Sequence, residues 1–137
     1  MKLKQIFIIT CLLFITFTGG YAQSRTDFTS TGVTMSGLMN NGKWSDYSKF
    51  KKTEVPITID FEKNRIIVYS ELEQVYRIAE YYPEQEKGDD YINFFKCLSN
   101  DGETTDITIK TSKNANISQM YIKDKTRVLV YNMKKIK

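Results

Sequence analysis

The sequence predicts an all-β protein: a single-domain antiparallel meander forming a small barrel or sandwich of about eight strands. Three observations predict it. Val55, Ile57, Ile59 and Phe61 alternate with Pro56, Thr58 and Asp60, the two-residue period of a strand that buries one face. Glu62, Lys63 and Asn64 interrupt this run, and Arg65 to Ser70 resumes it with β-branched and aromatic residues, so Val55 to Ser70 reads as a hairpin. Turn signals built on Asn, Asp and Gly recur roughly every ten residues, and such short connections favour sequential hairpins over long crossings.

The chain opens with an export signal. Lys2 and Lys4 precede the apolar run Ile6 to Phe17, and Gly20 and Ala22 supply small residues at the −3 and −1 positions of a cleavage site. Residues 1–22 are therefore expected to be a signal peptide and 23–137 a single β-domain, secreted or periplasmic. The apolar run is shorter than the roughly 20 residues of a membrane-spanning helix, so no stable membrane insertion is expected after cleavage. Cys11 lies in that run without a lipobox, which leaves Cys97 as the only cysteine of the mature chain. No intramolecular disulfide is then possible, and Cys97, within FFKCLS, is expected to be an inert core thiol.

The elements follow in order. Val33, Met35, Gly37 and Met39 share one face of a strand across Ser30 to Met39, and Asn40-Asn41-Gly42 turns the chain. Trp44, Tyr47 and Phe50 are spaced by three, which suits an irregular edge better than a regular strand. Pro56 lacks an N–H and belongs at an edge or a strand start. Ser70 to Tyr82 carries two competing patterns. Ser70 with Glu73 matches a capping box, and Leu72, Val75, Tyr76 and Ala79 fall at helical spacing. The β-branched and aromatic run Val75-Tyr76-Arg77-Ile78 favours a turn at Glu71 to Glu73 and a strand from Gln74 to Tyr82. The alternative is an α+β fold with a short helix over 71–82.

Pro83 to Asp90 reads as an exposed acidic loop. Tyr91 to Ser99 is a strand with apolar residues on both faces, so it is central or covered on both sides. Asn100-Asp101-Gly102 turns into Asp106 to Thr111, with Ile107 and Ile109 inward. Ser112 to Asn116 turns again, Ile117 to Lys123 and Thr126 to Met133 form the last pair, and Lys134, Lys135 and Lys137 form a solvated tail.

The leader ending in Ala-Gln, the segment KWSDYSKF, and VPITIDFEKNRIIVYS followed by QVYRI resemble a group of small secreted all-β proteins of gut-type bacteria and, in places, their phages. The resemblance covers about half of the mature chain. It implies a single β-domain, carries over no catalytic residue, and favours the strand reading of Gln74 to Tyr82.

The chain contains no histidine, which removes His-based triads, His-ligated zinc and the usual proton shuttle near neutral pH. Glycine-rich phosphate loops are also missing. Carboxylate pairs such as Asp60 with Glu62, or Glu80 with Glu84, could in principle flank a glycosidic bond, but each fits a solvated face better. Glu84, Glu86, Asp89 and Asp90 lack the ligand spacing of an EF-hand. No enzyme, cofactor or metal is expected. With Lys2 and Lys4 removed, the formal charge of +4 drops by two, which gives little reason to expect nucleic acid as a partner.

Aromatic residues carry the remaining signal. Trp44, Tyr47, Tyr81, Tyr82 and Tyr91 fall near strand ends and loops, where an amphipathic ring can stay partly exposed and stack on a ligand. The expected function is a non-catalytic binding module for a sugar, peptide or apolar ligand. The alternative is a structural or interaction protein of the cell envelope that pairs through a sheet face or edge.

Overall fold

The computed structural model describes residues 25–136, so the expected leader over 1–22 lies outside the described residues. Among the described residues ten strands form in chain order: β1 (Arg25–Gly37), β2 (Lys51–Lys52), β3 (Pro56–Asp60), β4 (Arg65–Val68), β5 (Gln74–Tyr81), β6 (Gln85–Lys87), β7 (Asp90–Leu98), β8 (Thr104–Ser112), β9 (Ser118–Lys123) and β10 (Arg127–Lys135). Eight of them make a closed antiparallel barrel in the order β1-β3-β4-β5-β7-β8-β9-β10, with β10 pairing back to β1. The other two are additions: β2 pairs with β1 and β6 with β7. The fold is all-β, as the alternation predicts. The disputed segment is a turn followed by β5, and its capping-box pattern starts no helix.

Turn chemistry fixes the hairpins. Gly42 (φ 79°) and Asn64 (φ 52°) occupy the left-handed region that tight reversals between strands require. Pro56 is the first residue of β3, where its missing N–H costs no ladder bond within the strand.

Register decides which side chains point inward. Ile57 opposes Val68, Ile59 opposes Ile66, Cys97 opposes Ile78, Phe95 opposes Ile107, and Met120 lies between Ile109 and Tyr131. Ile57, Ile66, Val68, Ile107, Met120 and Met133 are fully buried, and the core cluster runs through every barrel strand. An eight-stranded barrel is just wide enough for side chains to fill it, and these do. Burial of Cys97 pushes its thiol up to about 12, consistent with the inert role its surroundings suggested.

Two irregularities shape the outer surface. A bulge at Thr31 divides β1: its lower half pairs with β3, while Gly32 and Val33 pair with β2. Beyond the Asn41-Gly42 turn, residues 43–50 return beside the upper half of β1 as an irregular flap, the departure from strand geometry that Trp44, Tyr47 and Phe50 foretold. The flap is pinned by side chains. The Thr34 hydroxyl donates to the Ser48 carbonyl, Ser36 donates to the Ser45 carbonyl (2.6 Å), and the Gly37 amide donates to the Ser45 hydroxyl (2.9 Å). Thr34 and Ser36 face away from the barrel axis, as do their β10 partners Val130 and Val128, yet all four are buried. A Thr34→Val variant is expected to lose about 1 kcal/mol in urea unfolding, because the hydroxyl goes while the apolar packing stays.

Candidate functional site

Outward-facing side chains of β7, β8 and β9 form two neighbouring rows. One row runs Phe94, Thr108, Tyr121 and Val130; the other runs Glu80, Lys96, Asp106, Lys123 and Val128. The first is mostly apolar and the second alternates in charge. Where the flap overhangs them, a groove of about 480 Å³ opens, lined by Tyr47, Phe94, Asp106, Thr108, Tyr121, Lys123 and Val128. Its volume falls within the range of about 300–1,000 Å³ usual for small-ligand sites.

Aromatic rings border the groove. The Tyr82 ring packs edge-on to Phe94 at 5.0 Å between centroids, and its hydroxyl donates to Glu80 (2.8 Å), a bond that raises the Tyr82 pKa. The Lys123 ammonium lies 5.6 Å from the centre of the Trp44 ring. Tyr47, 53% exposed, is held by a flap whose backbone bonds to β1 fix its position. Tyr121 lines the groove and donates its hydroxyl to Gln119 (3.1 Å).

Of the five aromatic residues singled out by sequence, Tyr47 lines this groove, while Trp44 and Tyr82 touch its lining residues Lys123 and Phe94. Tyr81 and Tyr91 lie elsewhere. A bulge at Ala79 puts Tyr81 on the inner side at the lower end of the barrel, where it meets Phe61 and Phe95 and donates to Asn64 (2.5 Å). Tyr91 sits on the lower rim beneath the Lys113 ammonium, 5.0 Å from its ring centre. The groove also uses Phe94, Asp106, Thr108, Tyr121 and Lys123, none of which stood out in the sequence. The available signal was an aromatic residue at an outward position, Phe94 in β7 and Tyr121 in β9.

The upper mouth of the barrel holds a second concavity of about 410 Å³. Glu73, Asp101, Glu103 and Asp124 surround it with Arg127, and Tyr76 forms part of its floor. Tyr76 is 5% exposed, donates to Gln74 (2.6 Å), and has its pKa pushed up to about 12 by burial. No broad ring face is offered there.

Most of the carboxylates singled out by sequence have partners within the protein. Asp60 accepts the Lys63 amide (3.1 Å), Glu84 accepts from Asn93 (3.1 Å), Glu86 pairs with Lys113 (3.0 Å) and Asp90 with Lys110 (3.6 Å). Neither Asp60 with Glu62 nor Glu80 with Glu84 lines either concavity. Among the described residues, no group of carboxylate and cysteine side chains could hold a metal ion. No protein family, curated protein or solved structure matches the chain.

Proposed function

We propose that this is a secreted or periplasmic non-catalytic binding module whose ligand lies in the groove on the outer barrel wall. One observation carries the reading: Tyr47, Phe94 and Tyr121 line one concavity together with Asp106, Thr108 and Lys123. Such a site suits a ligand with a flat apolar face and a polar edge. A ligand carried inside the barrel has less support, because side chains fill the interior. Pairing with an envelope partner through a sheet edge also has less support. Closure leaves β2 and β6 as short exposed edges, and their residues Lys51, Lys52, Gln85, Glu86 and Lys87 are all polar or charged.

Trp44 is the only tryptophan in the chain, so its emission reports on the groove rim through Lys123. Titrating the protein with panels of oligosaccharides, peptides and detergent monomers is expected to change Trp44 emission with one ligand class. Tyr47→Ala is expected to weaken that binding about tenfold, or about 1.4 kcal/mol. An emission unmoved by all three panels, with Tyr121 NMR signals equally unmoved, would dispose of the reading.

A further inference from the structure

We infer that the groove binds an uncharged oligosaccharide, an inference that rests on the groove being the binding site. The backbone argues against an extended peptide. The groove floor lies on the face of β7, β8 and β9, whose ladder groups pair with neighbouring strands on either side. A peptide laid there meets no free row of N–H and C=O groups, which strand addition requires. A purely apolar ligand would desolvate the Asp106 carboxylate and the Lys123 ammonium without replacing their hydrogen bonds with water. A sugar ring meets both demands. Its C–H face covers Phe94 and Tyr121, and its peripheral hydroxyls donate to Asp106 and accept from Lys123.

Charge narrows the class further. Glu80, Lys96, Asp106 and Lys123 alternate in sign across neighbouring strands, so this row sums to zero. An acidic polysaccharide would bring its carboxylates or sulfates against Asp106 and Glu80 as often as against the lysines. Length follows from the sheet. Phe94, Thr108 and Tyr121 sit on three successive strands, a span of about 10 Å, with Tyr82 and Tyr47 beyond either end. That is room for a short chain of sugar rings.

The test uses cello-, xylo- and malto-hexaose beside a hyaluronan oligosaccharide and a mixed peptide library. Binding is measured by calorimetry at about 20 and about 500 mM NaCl, and located by NMR of the Tyr47, Phe94 and Tyr121 rings. The expected result is that a neutral hexasaccharide shifts these rings with a Kd that changes less than twofold between the two salts. Asp106→Asn, a change at an outward position of β8, is expected to weaken that binding about fivefold while leaving the thermal midpoint in place. Tighter, salt-sensitive binding of hyaluronan, or ring shifts with peptides alone, would overturn the inference and leave the groove as a binding site. Ring signals that respond to none of these probes would overturn both.

Discussion

Phe95→Ala is expected to destabilise the barrel by about 3–5 kcal/mol, a large share of the roughly 5–15 kcal/mol that holds a domain together. Phe95 is 4% exposed and faces inward from β7 opposite Ile107. Its ring meets Tyr81 edge-on at 5.7 Å and Phe61 at 6.1 Å, so three aromatic rings cap the lower end of the core. Removing the buried ring of the three leaves a void that its two partly exposed neighbours cannot fill without leaving their own contacts. Phe94 is the internal control. It points outward into the groove and is only half-buried, so Phe94→Ala should cost less than half as much while impairing ligand binding. Urea midpoints at unchanged slope would measure both, and equal losses would mean that the inward and outward assignments of β7 are wrong.

Raising the pH from 9 to 10 is expected to lower stability by about 1 kcal/mol through Cys97, with a further fall toward pH 12. The Cys97 thiol titrates near 9.0 when exposed and near 12 when folded, so over this window the unfolded chain gives up a proton that the native barrel keeps. Fewer protons on the unfolded state make the unfolding free energy fall as pH rises. The stabilisation is complete below pH 9 and drains away toward pH 12. Above about pH 10, Tyr76 adds the same effect, because burial raises it from 10.0 to about 12. Cys97→Ala separates the two: its fall between pH 9 and 10 should be clearly smaller than that of the wild type and should steepen above pH 10, where the buried tyrosines dominate. A wild-type curve level through pH 10 would mean that the thiol is solvated in the native state.

The parts legible in the sequence are those set by neighbours along the chain. Ile57 and Ile59, or Ile107 and Ile109, announce their inward face by simple alternation, and Asn41-Gly42 announces its turn. Closure is a different matter. The pairing of β1 with β10 leaves no local mark, because Val33 and Tyr131 lie at opposite ends of the chain and no pattern around either names the other as its partner. The flap was visible as a broken period, but its place over Val128 and Val130 was not, since that depends on Thr34 and Ser36 bonding to it. The groove suffers the same limit. Phe94, Asp106 and Lys123 come from three strands, and each looks alone like an ordinary outward residue beside a core neighbour. Tyr81 shows how one extra residue misleads: the bulge at Ala79 puts its ring on the side opposite that expected by alternation from Ile78.

The seam between the first and last strands also governs time. Across it, the Thr31 hydroxyl donates to the Asn132 carbonyl, residues separated by 101 positions. Bringing such distant segments together is slow, because loop-closure entropy must be met before the pairing rewards it. A join that forms late is largely absent at the folding barrier, so its strength is felt mainly as slow unfolding. With no disulfide available to the described residues, β1 and β10 are the latch that sets how long the molecule stays shut.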